Sequence, residues 1–210
     1  KSENGIRISK ATNILDRLID QQRKDEYAVN FGWKHSAIDY EKMKENTLYN
    51  DTIFICLIRN PWRFVSGLHR RPYNLYPKVK CDLEDFIKMP FLANERDGIK
   101  DIYISSPVDL WNQKVESYFT VAGKSERVII CYYEDVMKNI SEFMEKLRPY
   151  CKISNELEIP INSTKGDTKT FEDYKRETAH YNPRKELGEE AYELIRTRLR
   201  EDIMSMTIYN

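Results

Sequence analysis

The chain has 210 residues, 40% hydrophobic and 32% charged, which suits one domain over residues 1–210 with a real core and little room for a second. Lys plus Arg and Asp plus Glu each number 34, so the net charge is zero. That balance argues against a general nucleic-acid binder, which carries a basic excess, and makes any anion site a local one. The longest apolar run, Ile53 to Ile58, falls well short of the about 18 residues of a membrane helix.

In chain order, Gly5 to Ser9 reads as a short strand and Thr12 to Lys24 as a helix, with Ile14, Leu15, Leu18 and Ile19 on one face. Tyr27 to Trp33 is a second strand candidate, and Tyr40 to Glu45 a short helix. Thr52 to Ile58 (TIFICLI) is the nearly continuous apolar run expected of a parallel strand covered on both faces. Asn60-Pro61 then opens a helix to about Arg70, with Pro in the first turn, where its missing N–H costs nothing. Asp82 to Lys88 reads as a helix capped by Asp82, Phe91 to Ser105 as loop, and Ser106-Pro107 as the start of a helix through Phe119. Arg127 to Tyr133 (RVIICYY) is another buried strand, and Ser141 to Tyr150 is helical. Ile159 to Thr170 is polar and loop-like. Glu186 to Ser205 reads as one long amphipathic helix with Leu187, Ala191, Leu194, Ile195, Leu199 and Ile203 on one side. Strands alternating with helices imply an α/β fold with a central parallel sheet, in which ligands bind beyond the carboxyl ends of the strands.

Two of those strand ends carry chemistry. Gly5-Ile-Arg-Ile-Ser-Lys-Ala-Thr-Asn13 is a P-loop-like strand-to-helix turn: backbone N–H groups at a helix start attract anions, and Arg7, Ser9, Lys10, Thr12 and Asn13 add charge and donors. It is not a Walker A sequence, because Ser9 stands where the Gly before the Lys belongs. The other is Arg59, at the end of a buried strand, with Ser66 on the helix that follows. Arg offers a fixed charge and a fork of donors, and Ser adds a hydroxyl, so the pair can clamp a phosphate. The four cysteines (Cys56, Cys81, Cys131, Cys151) form no CxxC pair and read as free thiols of a reducing compartment. With no signal-peptide pattern at Lys1-Ser2-Glu3-Asn4, a cytoplasmic location is expected. Three Asn-x-Ser/Thr sequons, at Asn50, Asn139 and Asn162, keep the secretory lumen as an alternative.

FICL followed by IRNPWRFVSGLHRRPY (residues 58–73), GWKHS upstream (32–36) and YYEDVMKN downstream (132–139) together resemble PAPS-dependent sulfotransferases, PAPS being 3′-phosphoadenosine-5′-phosphosulfate. Gly5 to Asn13 resembles that family's 5′-phosphosulfate loop. Thr164-Lys165-Gly166-Asp167 resembles, more loosely, its late nucleotide-closing loop. The resemblance spans about residues 5 to 175. It implies a three-layer α/β/α fold with a P-loop-like strand-loop-helix, and transfer of a sulfuryl group to a hydroxyl or amine of an unidentified acceptor, with a saccharide among the candidates. By the same resemblance, Arg59 and Ser66 hold the 3′-phosphate, while Ser9, Lys10, Thr12 and Asn13 hold the 5′-phosphosulfate. Tyr133 approaches the adenine, Lys165 and Gly166 contact the nucleotide, and His35 is the catalytic base, with Lys10 stabilising the leaving group. No metal is required, because cationic side chains neutralise the donor. Lys34, His69, Arg70, Arg71 and Tyr73 are candidates for the acceptor side.

The chemistry suits these residue types. Sulfuryl transfer, like phosphoryl transfer, is an in-line displacement governed by positioning and electrostatics, and an imidazole can take the acceptor proton at neutral pH. Two departures from the family pattern stand out. Ser66 is seven residues after Arg59 rather than eight, and Ser-Lys-Ala-Thr-Asn carries an extra residue against Ser-Gly-Thr-Asn. The competing readings are a P-loop-type kinase, which needs a Walker A Lys and an acidic Mg²⁺ ligand such as Glu134 or Asp135, and a binding module that holds adenosine 3′,5′-bisphosphate without turnover. Trp33, Trp62 and Trp111 read as core or pocket wall, Glu134-Asp135 as a helix cap, and the Asp109–Lys114–Glu116 stretch as a solvated helix face.

Overall fold

The computed structural model describes residues 31, 33, 35–72, 81–93, 95–150 and 169–209. The strands expected at 5–9 and 27–33 and the helix at 12–24 lie wholly or mainly outside them. After helix α1 (Tyr40–Glu45), capped by the Asp39 carboxylate, comes strand β1 (Phe54–Ile58). It pairs in parallel with β4 (Val128–Tyr132), in the register Phe54↔Val128 to Ile58↔Tyr132. Between them the chain makes helices α2 (Pro61–Arg70) and α3 (Leu83–Lys88), a minimal antiparallel pair β2 (Phe91–Leu92) and β3 (Tyr103–Ile104), and helix α4 (Pro107–Ala122). The described part is thus mixed α/β around a two-stranded parallel sheet. No helix among the described residues is long and apolar enough to cross a membrane.

The core lies where α2, α3 and α4 meet β1 and the C-terminal helices. Ile58, Val65, Phe86, Ile87, Val108 and Leu110 are buried there, at about 1.5–3 kcal/mol per large side chain. Trp62 and Trp111 join this core as expected. β1 is not covered evenly: Cys56 and Ile58 are buried, whereas Ile55 and Leu57 are 44% and 48% exposed. Burial pushes the Cys56 thiol up to about 12, with Cys131 adding to the effect. At pH 8 only about 10⁻⁴ of such a thiol is thiolate, so native protein treated with iodoacetamide should stay unmodified at Cys56 while denatured protein is labelled there. Labelling in the native state, read by peptide mass spectrometry, would show that the sheet opens.

Several sequence expectations are corrected here. The stretch from Phe91 to Ser105 is not plain loop, because it holds the β2–β3 pair, whose two-residue strands are too short for any periodic signal. Asp82 stands at the N-cap of α3 but makes no capping bond with its side chain. Two helices escaped the pattern reading. One is α5 (Tyr133–Lys138), which leads directly into α6 (Ile140–Leu147). The other is α7 (Phe171–Ala179), even though Thr170 and Asp173 form a capping box in its first turn.

The expected helix from Glu186 to Ser205 is three pieces: α8 (Pro183–Leu187), α9 (Glu189–Arg196) and α10 (Glu201–Ser205). Gly188, at φ +83°, ends the first of them, a backbone angle that glycine adopts without a Cβ penalty. The second break is held by Asn112 of α4, which is 1% exposed. Its amide Nδ2 donates to the Arg198 carbonyl at 3.0 Å, and its Oδ1 accepts from the Arg200 N–H at 3.3 Å. Those backbone groups would bond within a continuous helix, and Asn112 takes over their pairing. The apolar face was still read correctly, since Ala191, Ile195, Leu199 and Ile203 are all buried.

Candidate functional site

The chain turns sharply at the carboxyl end of β1. Asn60 caps α2 by accepting the Arg63 N–H on its side-chain oxygen at 3.2 Å, and Pro61 occupies the first turn. The Arg59 carbonyl accepts from Trp111 Nε1 at 2.9 Å, which ties the strand end to α4. Glu134, in the first turn of α5 just past β4, accepts the Asn60 N–H at 3.3 Å and the hydroxyl of Tyr209. Tyr209 reaches the Ile58 carbonyl as well, at 3.4 Å. Burial and the bond to Glu134 hold the Tyr209 phenol well above the usual tyrosine range, so it remains a donor. Glu134 therefore fastens the two strand ends and the C-terminus together, a larger role than the helix cap expected of it.

On this frame the Arg59 guanidinium lies over the Tyr133 ring, 5.0 Å from its centroid. Parallel pairing in register puts the ends of β1 and β4 side by side, so residues expected to meet a phosphate and an adenine become neighbours. Arg59 Nε is buried without a hydrogen-bond partner. Ser66 is 9% exposed, and its hydroxyl donates to the Arg63 carbonyl at 3.3 Å, one helical turn back. To serve a ligand it has to rotate away from that bond. Arg63, absent from the sequence-derived site, stacks on Tyr181 at 4.1 Å and donates to the Thr178 hydroxyl at 3.2 Å. Burial and the charge of Arg59 pull the Arg63 guanidinium below the usual arginine range.

The acceptor-side candidates divide. His69 shares a hydrogen bond between its Nε2 and the Cys81 carbonyl at 2.8 Å, and its ring tilts against Phe86. It fastens the connection from α2 to α3. Arg70 donates from Nε to the Ser66 carbonyl at 3.3 Å and is otherwise exposed, as is Arg71 at the end of α2. Arg7, Ser9, Lys10, Thr12, Asn13, Lys34, Tyr73, Lys165 and Gly166 lie outside the described residues.

His35 belongs to a second group. It is exposed in a turn, with its ring edge-to-face against Trp33 at 5.1 Å. Trp33 is flanked by Arg96 at 4.8 Å and by Lys114 at 5.4 Å. Lys114 is not on a solvated face: it is buried and ion-paired with Asp97, which is fully buried. Burial draws the Lys114 ammonium below the usual lysine range, against the pull of Asp97. Sequence spacing could not show this, because the carboxylate arrives from a separate loop. The residues after His35 are bolted down as well. The Ala37 N–H donates to the Asp97 carbonyl at 2.6 Å, the Ile38 N–H to Ser117 Oγ at 3.0 Å, and the Tyr118 hydroxyl to the Ser36 carbonyl at 3.2 Å. Gly98, at φ +68°, is required beside this strap, since a Cβ there would sit 3.0 Å from the Ala37 carbonyl oxygen.

Comparison with family models, with curated proteins and with solved structures finds no match.

Proposed function

We propose that this chain is a PAPS-dependent sulfotransferase, with Arg59 and Ser66 at the 3′-phosphate, Tyr133 at the adenine and His35 as the base. The observation that carries the reading is Arg59 over Tyr133 at the adjacent ends of two parallel strands. A fixed cation held over an aromatic ring brings a partner for a phosphate and a partner for a purine to one place, as a phosphate and a base on one ribose require. The buried, unpartnered Nε of Arg59 supports it, as a donor held ready for an anion. The reading extends the two-stranded parallel sheet to a three-layer α/β/α domain with the Gly5–Asn13 loop at the phosphosulfate. In the reaction the acceptor oxygen or nitrogen forms a bond to sulfur, and the bond from sulfur to the 5′-phosphate oxygen breaks. The acceptor proton passes to His35, and adenosine 3′,5′-bisphosphate leaves with its charge stabilised by Lys10. The kinase reading gains nothing from Glu134, whose two carboxylate oxygens accept from the Asn60 N–H and the Tyr209 hydroxyl.

A ligand that binds only the folded state stabilises it by RT ln(1 + [L]/Kd), about 2.7 kcal/mol at a hundredfold excess over Kd. Adenosine 3′,5′-bisphosphate without metal is expected to raise the melting temperature, and Arg59→Ala to remove the effect. Stabilisation by ADP with Mg²⁺ but not by the bisphosphate would replace this reading with a kinase.

A further inference from the structure

Four buried side-chain polar atoms among the described residues have no hydrogen-bond partner: Arg59 Nε, Arg63 Nε, Arg96 Nε and the Tyr181 hydroxyl. Arg96 sits beside Trp33. The other three belong to one cluster. Arg63 lies on the Tyr181 ring, Arg59 and Arg63 are close enough to repel, and the charges of Arg63, Arg59 and Arg70, opposed by that of Glu186, act on the Tyr181 phenol. Arg148, Arg176, Arg184, Arg196 and Arg200 all have carboxylate partners. No ion pair among the described residues involves Arg59, Arg63 or Arg70. The Glu134 carboxylate also acts on Arg63, but its two oxygens already accept from the Asn60 N–H and the Tyr209 hydroxyl. Buried donors are rarely left unmade, so three of them gathered around like charges point to a missing anion.

We propose that Arg63 and Tyr181 bind the same anion as Arg59, and that the group they take is a terminal, dianionic phosphate monoester. This rests on the sulfotransferase reading for its identity as the 3′-phosphate, though not for the existence of an anion site. Two guanidiniums match a charge near −2, whereas a sulfate ester or a phosphodiester carries one charge and leaves an arginine uncompensated. The Tyr181 hydroxyl supplies a neutral donor, and burial, raising its pKa to about 12, keeps it protonated at neutral pH. Arg63 also holds the end of α7 through Thr178 and the Glu177 carbonyl, so the same side chain joins the ligand to the segment carrying Tyr181.

The test compares adenosine 3′,5′-bisphosphate with adenosine 5′-monophosphate, which lacks only the 3′-phosphate, by calorimetry on the whole chain. Wild type is expected to prefer the bisphosphate. Arg63→Met should shrink that preference by about 10- to 100-fold and Tyr181→Phe by about 3- to 10-fold. Lys42→Ala, on the exposed side of α1, should leave the preference unchanged. Arg63→Met and Tyr181→Phe weakening both nucleotides equally, or neither, would overturn the assignment while leaving the sulfotransferase reading in place. Should wild type bind neither nucleotide, that reading falls. The anion site then stands only if inorganic phosphate stabilises wild type against heat and does not stabilise Arg63→Met or Tyr181→Phe.

Discussion

Replacing Asp97 by alanine is expected to cost about 3–5 kcal/mol of stability, because it strands the buried ammonium of Lys114 without its counterion. Removing both charges in Asp97→Ala/Lys114→Met should recover much of that loss, since a buried ion pair contributes little beyond an apolar pair of similar volume. The pH dependence has a definite sign. Burial already holds Lys114 below the usual lysine range, and without Asp97 nothing opposes it. The unfolded chain then binds the proton that the folded chain loses, so the stability of Asp97→Ala rises with pH up to the ordinary lysine value of about 10.4. The double variant lacks the group and should show no such recovery. Urea unfolding of wild type and both variants at pH 7 and pH 9.5 measures this. A single variant within about 0.5 kcal/mol of wild type at pH 7 would mean that the Lys114 ammonium reaches water.

If the proposed sulfotransferase reading holds, replacing His35 by alanine is expected to lower sulfuryl transfer by about 10²- to 10⁴-fold, the usual range for loss of a general base. Affinity for adenosine 3′,5′-bisphosphate should be unchanged, since the Arg59 cluster is built on other elements. The measurement uses radiolabelled PAPS with 4-nitrophenol and an N-acetylglucosamine oligosaccharide as trial acceptors. Transfer at the wild-type rate by His35→Ala would remove the base assignment but not the donor site. Trp33, the neighbour of the His35 ring, is flanked by Lys114, whose ammonium pairs with the Asp97 carboxylate. Asp97→Ala should therefore disturb transfer as well as stability, while a surface change such as Lys42→Ala should disturb neither.

Local rules account for the part of the molecule that sequence alone determined. The Asn60 cap and Pro61 start α2 where expected, and Ser106 with Pro107 starts α4, because capping and proline chemistry act within one turn. The apolar runs around β1 and β4 fall on the strands that pair, as such runs suit a parallel ladder, but the expected cover on both faces is not there, since Ile55 and Leu57 stay half exposed. That Arg59 and Tyr133 stand at or just past the ends of such runs was legible too, and the in-register pairing makes them neighbours. What only the tertiary structure decided depends on partners distant in the chain. Asn112 breaks the C-terminal helix from another helix, and Asp97 turns Lys114 from a surface residue into a buried one. Tyr181 meets Arg63 across more than a hundred residues of chain, and Tyr209 meets Glu134 across 75. Periodicity reports which face of an element is apolar. It carries no information about which polar group from elsewhere will satisfy a particular N–H, carbonyl or charge, and that choice is made only when the elements pack.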